Sequence, residues 1–192
     1  MPGISLREAI RRWEQKNGIS PQEATEVSLI CQLPNPIEKL DNEINQFENC
    51  EKLSLSTNAI IQIVPMQRLK NLKILSLARN NIRRIQNLED VAGTLEQLWL
   101  SYNQIEKLDN IAPLQKLHTF YISNNKLRSK DEIAKCSQLA DLTSVLFLGN
   151  PVYTEPEKKD NWPMVVSKIP NVQTVDGCMV TSEVRQAAEA LM

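Results

Sequence analysis

Five asparagines recur along this 192-residue chain at steps of 22, 23, 22 and 25 residues, each in the same apolar frame. The segments are Leu53-Ser-Leu55-Ser-Thr-Asn58, Leu75-Ser-Leu77-Ala-Arg-Asn80, Leu98-Trp-Leu100-Ser-Tyr-Asn103, Phe120-Tyr-Ile122-Ser-Asn-Asn125 and Val145-Leu-Phe147-Leu-Gly-Asn150. Two apolar residues flank one other residue, and the asparagine follows three positions later. Alternation of this kind turns one side of a short strand inward and the other outward. A unit this small cannot bury its own apolar side. It must stack on copies of itself, and the stack then shares one continuous core.

Period and frame together are the signature of leucine-rich repeats. They predict an α/β solenoid with about six repeats of the 22-residue type, a parallel sheet, caps at both ends and a terminal helix. The chain divides as an N-terminal helical cap over 1–26, repeats over 27–152, a C-terminal repeat cap over 153–180 and a terminal helix over 181–192. Further inward positions are Cys50, Leu72, Leu95, Leu117 and Leu142 before the strands, and Ile60, Ile82, Ile105, Leu127 and Val152 after the asparagines. The asparagines Asn58, Asn80, Asn103, Asn125 and Asn150 form a structural ladder. Each amide sits where the chain leaves a strand and can satisfy backbone groups of its own and the neighbouring repeat.

At the N-terminus, Ser5-Leu-Arg-Glu8 has capping-box spacing, Leu6, Ala9, Ile10 and Trp13 share a helical face, and Gly18 suits the helix end. Ser20-Pro21-Gln-Glu23 predicts a second short helix. A degenerate sixth repeat precedes the clear five, because Asn35-Pro-Ile37-Glu-Lys-Leu40-Asp41 echoes Asn103-Gln-Ile105-Glu-Lys-Leu108-Asp109. Its strand reads as damaged, with Gln32 at an inward position and Pro34 lacking a donor. Short helical turns are expected on the return side, for example over Ile63 to Leu69 and Asp131 to Ser137. Beyond Asn150 a helix, a short strand and a turn are expected through Val175-Asp-Gly177. In the terminal helix, capped by Thr181 or Ser182, Val184, Ala187, Ala188 and Leu191 share a face.

No constellation for catalysis stands in the sequence. The one histidine, His118, precedes a strand and reads as a surface or structural residue. Cys31, Cys50, Cys136 and Cys178 lie far apart with no C-x-x-C, so they read as reduced thiols in a cytosolic protein, and no metal site is expected. Neither phosphate-binding glycine motif nor a nucleophile elbow is present, so no cofactor is expected. A net charge of −1 argues against a nucleic-acid partner. The N-terminal residues carry no apolar run of signal-peptide length, and no window approaches the roughly 18 apolar residues of a membrane span. An interaction scaffold is the expected class.

The function of such a scaffold lies in what its sheet displays. The row inside each strand pair reads Ser54, Ser76, Trp99, Tyr121 and Leu146, and the next reads Ser56, Ala78, Ser101, Ser123 and Leu148. Before each asparagine stand Thr57, Arg79, Tyr102, Asn124 and Gly149. Strands lie about 4.8 Å apart, so Trp99, Tyr102, Tyr121, Leu146 and Leu148 form one patch, with Arg79 and Asn124 at its border. A contiguous aromatic patch marks a binding site, and Trp and Tyr are typical anchors. The competing reading folds the terminal helix over Leu146 and Leu148. A second feature is a basic rim of Arg83, Arg84, Lys107, Lys126 and Arg128, suited to an acidic partner.

Several stretches carry a closer resemblance. Arg7-Glu-Ala-Ile-Arg-Arg-Trp-Glu14, Pro36-Ile-Glu-Lys39, Cys50-Glu-Lys-Leu-Ser-Leu-Ser-Thr-Asn58, Asn71-Leu-Lys-Ile-Leu-Ser-Leu77, Thr94-Leu-Glu-Gln-Leu-Trp-Leu-Ser-Tyr-Asn103 and Tyr121-Ile-Ser-Asn-Asn125 resemble the leucine-rich-repeat light chains of outer-arm dynein. The resemblance implies a non-catalytic regulatory light chain in cytoplasm, cytoskeleton and ciliary axoneme. It implies an axonemal dynein heavy chain as partner, contacted at the microtubule-binding stalk tip through the sheet face. It also implies tubulin as a second contact, suited to the basic rim. The cap departs from the family pattern, reading Val175-Asp-Gly-Cys-Met179-Val180, although Arg185 falls where a basic residue is expected in the terminal helix. Two other readings share the architecture: a regulatory subunit of the protein phosphatase 1 type, with about twice as many repeats, and a spliceosomal scaffold holding an RNA-binding partner.

Overall fold

The computed structural model describes residues 3–155 and 157–191. Strands β1 (Glu26–Ser28), β2 (Lys52–Ser54), β3 (Ile74–Ser76), β4 (Gln97–Trp99), β5 (Thr119–Tyr121), β6 (Ser144–Leu146) and β7 (Thr174–Val175) pair in parallel in chain order. A last strand, β8 (Cys178–Met179), turns back antiparallel to β7. Val27, Leu53, Leu75, Leu98, Phe120, Val145 and Val175 stand opposite one another down the sheet, none more than 2% exposed. The apolar positions before the strands and after the asparagines are buried beside them. One continuous core results, as stacking of incomplete units requires.

The asparagine ladder is built as its spacing implies. Asn103 donates from Nδ2 to the carbonyl oxygens of Leu77 and Leu100, both at 3.0 Å, and accepts at Oδ1 from the Ile82 N–H at 2.9 Å. Asn58, Asn80, Asn125 and Asn150 repeat that pattern, each tying its own strand to the preceding repeat. Asn35 has no repeat before it. Its Oδ1 is buried with no hydrogen-bond partner among the described residues.

The first repeat departs from expectation in register. Its strand is not a damaged one around Gln32. It lies upstream, where Val27 pairs with Leu53 and the Leu29 N–H donates to the Ser54 carbonyl oxygen. Thr25-Glu-Val-Ser-Leu29 supplies the alternation that buries Val27 and Leu29. The chain then loops out through Gln32-Leu33-Pro34, with a cis Leu33–Pro34 bond, and returns to register at Ile37, whose N–H donates to Asn58 Oδ1.

Helix α1 (Leu6–Asn17) buries Leu6, Ala9, Ile10 and Trp13, and Gly18 ends it at φ 68°. Ser5 Oγ accepts from the Glu8 N–H. The reciprocal half of the capping box is absent, because Glu8 bonds Arg11 and Arg12 instead. Those guanidinium groups, Arg11 first, pull the Glu8 carboxyl down to about 2. The expected second helix at 20–23 is only a turn, closed by Glu23 N–H on the Ser20 carbonyl oxygen. No helix forms over 63–69 either. Pro65 lacks a donor there and biases Val64 away from helical backbone. On the same return side, α2 (Lys130–Ala134) and a following 3-10 turn do form, capped by Ser129.

At the far end, α3 (Trp162–Lys168) packs on the last repeats and α4 (Ser182–Glu189) packs on α3. Thr181 caps α4. Its buried contacts are narrower than expected: Ala188 is buried and Val184 half-buried, whereas Ala187 and Leu191 face solvent. Asp176 closes the sheet. Its Oδ1 accepts from the Phe147 and Leu148 N–H groups at 2.8 and 3.0 Å, and its Oδ2 from the Tyr153 hydroxyl and Trp162 Nε1 at 2.7 and 3.1 Å. Burial, and then the Asp176 charge, push the Tyr153 phenol up. Asp176→Ala leaves those donors without this acceptor and should destabilise by about 2 kcal/mol. Calorimetry checks it; an unchanged melting temperature would mean that the carboxylate is not a closing element.

Candidate protein interface

The six outward-turning backbone positions Cys31, Thr57, Arg79, Tyr102, Asn124 and Gly149 all have left-handed φ, from 51° to 78°. Each ends a strand stretch, and the last five stand one residue before a rung asparagine. The bend turns the asparagine inward and the preceding side chain outward. Only Asn124 and Gly149 carry a sequence signal for this backbone, since the others are residues that rarely adopt it. Gly149 is needed for space as well: a Cβ there would lie 2.5 Å from Asn124 Oδ1.

On the displayed face two columns meet. Trp99 and Tyr121 stand opposite each other in β4 and β5 and stack with ring centroids 6.1 Å apart and planes 21° apart. Leu146 continues this column opposite Tyr121. The Arg79 guanidinium lies 4.3 Å from the Tyr102 ring centroid, a cation–π pair at the border. Tyr102 is 47% exposed and Leu148 37% exposed. Because α4 lies on α3, it leaves Leu146 and Leu148 displayed. The Trp99 indole Nε1 is shielded without a hydrogen-bond partner among the described residues.

The serines beside these rings are not displayed in the way alternation suggests. Ser76, Ser101 and Ser123 are at most 9% exposed. The Ser56 and Ser76 hydroxyls bond at 2.6 Å, and Ser123 donates to Ser101 at 2.9 Å. They form a low polar floor from which the aromatic rings rise.

The basic rim is split. Arg83, Arg84 and Lys107 line one groove of about 600 Å³ with Gln86, Gln104 and Asn110, and two carboxylates, Glu106 and Asp109, line it with them. Lys126 and Arg128 are exposed but do not line it. None of these five cations enters an ion pair among the described residues. Asn87 and Asn110, 23 residues apart, donate to the carbonyl oxygens of Ile63 and Ile85 and carry φ of 58° and 62°. This second asparagine pair shapes the groove backbone and escapes the strand-based frame. Arg185 lies away from both surfaces, donating to the carbonyl oxygens of Pro170 and Val172 at 2.9 and 2.8 Å. It anchors α4 to the turn before β7.

His118 Nδ1 lies 2.9 Å from the buried Thr119 Oγ1, and its Nε2 lies 3.8 Å from Glu96 Oε2, contacts that hold the ring against the start of β5. All four cysteines are unbridged, and burial pushes the Cys50 thiol up to about 11. Among the described residues, no group of three or more His, Cys, Asp or Glu could hold a metal ion, and no helix is long and apolar enough to cross a membrane.

Comparison with known proteins agrees with the repeat frame. The family described as Leucine Rich repeats (2 copies) matches residues 94–135. Solved structures share the fold: the SNF/U2A′ complex of Drosophila melanogaster, with TM-score 0.58, 22% identity and 97% and 91% of the two chains covered, and a leucine-rich-repeat protein of Leptospira interrogans, with TM-score 0.63, 25% identity and 80% and 37% covered. Sequence relatives are closer. The human protein Dynein axonemal light chain 1 is 45% identical over 92% of this chain and 93% of its own length. Its namesake in Chlamydomonas reinhardtii is 39% identical over 96% and 94%. Identity at this level along nearly the full length of both chains places the protein in a family: it belongs to the dynein axonemal light chain 1 family.

Proposed function

We propose that the chain is a non-catalytic regulatory light chain of ciliary outer-arm dynein, working at the axoneme. It binds a dynein heavy chain at the microtubule-binding tip of the stalk and modulates how the motor engages its track. The contact is made by Trp99, Tyr102, Tyr121, Leu146 and Leu148, with Arg79 and Asn124 at the edge. The observation that carries this reading is the contiguous aromatic and apolar patch on a sheet face left open by the terminal helix. A solenoid of about six repeats, capped at both ends, suits the task because it holds such a face rigid. A rigid platform saves the ordering cost that a flexible one would incur on binding.

The direct test is capture from ciliary extract with the immobilised light chain. A dynein heavy chain should be recovered, and a purified stalk-tip fragment should compete for it. Recovery of a phosphatase or a ribonucleoprotein in its place would overturn the assignment.

The rim cations Arg83, Arg84 and Lys107 face the acidic surface of tubulin in this reading, with Lys126 and Arg128 as outlying charges. Unpaired surface charges act over roughly 8 Å at physiological ionic strength. Co-sedimentation with microtubules should therefore fall several-fold between 50 and about 200 mM salt. Arg83→Glu with Arg84→Glu should abolish that salt dependence while leaving heavy-chain capture intact. Binding indifferent to salt would remove tubulin from the proposal.

A further inference from the structure

The sheet ends in an open strand at the N-terminal side. β1 pairs with β2 on one flank only. The Leu29 and Cys31 N–H groups bond the Ser54 and Ser56 carbonyl oxygens, so strand alternation turns the amides of Ser28 and Ile30 to the other flank. That flank opens into a groove of about 370 Å³ between α1 and the strand, lined by Arg12, Trp13, Lys16, Ser28, Ile30 and Cys31 among others. Ile30 is 46% exposed there. The charged residues of the lining are two cations and no carboxylate. Arg12 bonds Glu8, whereas Lys16 enters no ion pair among the described residues. Gln32 Nε2 donates to the Ile30 carbonyl oxygen at 3.2 Å, a side-chain plug on the edge that a strand can displace.

Unpaired strand edges are templates for another strand, and natural proteins usually block them. Here the blocking is slight: one amide side chain and a short strand. We propose that the open edge of β1 takes an extended, acidic peptide segment of a partner protein as an added strand. Backbone pairing with Ser28 and Ile30 would give affinity, Ile30 and Trp13 would receive an apolar side chain, and Lys16 and Arg12 would select alternating carboxylates. This site lies apart from Trp99 and does not depend on the dynein reading.

The two exposed cysteines supply the assay. Cys31 lines the groove, and Cys178 lies in β8 at the opposite end of the sheet. The probe is the blocked hexapeptide Val-Glu-Val-Glu-Val-Glu, and the readout is iodoacetamide labelling of the full chain, resolved by mass spectrometry. The peptide should slow Cys31 labelling about tenfold while leaving Cys178 unchanged. Lys16→Glu should raise the peptide concentration needed by about tenfold, and Trp99→Ala should change nothing. Unaltered Cys31 labelling overturns the proposal. Equal protection by the Val-Lys counterpart, or by a peptide methylated on alternate amides, also overturns it. Protection that rises with protein concentration alone would assign the edge to self-association instead.

Discussion

Asn103→Leu should lower unfolding free energy by roughly 1–3 kcal/mol and the melting temperature by about 5 °C. The substitution adds apolar bulk to a core of leucines, so hydrophobic transfer alone predicts a gain. The hydrogen bonds decide the sign. Asn103 satisfies the Leu77 and Leu100 carbonyl oxygens and the Ile82 N–H in a site where the residue is 8% exposed. The two carbonyl oxygens keep the Asn80 and Asn125 amides, but leucine orphans the buried Ile82 N–H, which costs about 1–3 kcal/mol. The neighbouring truncation Leu100→Ala, which leaves a cavity and no orphan, should cost about 2–5 kcal/mol. Chemical denaturation of both variants separates the two mechanisms. An Asn103→Leu variant as stable as wild type would mean that the rung contributes no stability.

Trp99→Ala should do the opposite: leave melting nearly unchanged and weaken heavy-chain binding tenfold or more. Trp99 is half-buried, and its main contact is the stack on Tyr121. Such a pair contributes about 0.5–1.5 kcal/mol beyond its buried area, a small share of the stability of a continuous core. At an interface the same ring is desolvated on its second face, and a tenfold loss corresponds to only about 1.4 kcal/mol. Calorimetric titration with a stalk-tip fragment measures this. Affinity unchanged in a folded Trp99→Ala variant would remove the aromatic column from the interface. Arg79→Ala offers a graded control, because it removes the cation from the Tyr102 face without touching the stack.

The periodic part of the molecule was legible in the sequence. Five rungs, their inward partners and the row containing Trp99, Tyr121 and Leu146 follow from a repeat in which each unit meets an identical environment. Where that environment changes, the letters misled. Gln32 and Asn35 stand near the rung positions of the first repeat, yet the strand runs three residues upstream through Val27 and Leu29. The end repeat has no preceding neighbour to hold its register, so local alternation prevailed over the period.

Within the five clear repeats the sequence by itself determined which side chains are core and which are rungs, because burial alternates with a period that can be counted. Only the tertiary structure decided how the outward residues combine: Trp99 stacks on Tyr121, Arg79 lies over Tyr102, and the serines between them sink into a floor. It also decided that α4 rests on α3 and leaves Leu146 and Leu148 open, and that Asp176 ends the sheet by accepting from four donors. These outcomes depend on contacts between segments far apart in the chain and outside the repeat. No period encodes such contacts, so only packing in three dimensions could settle them.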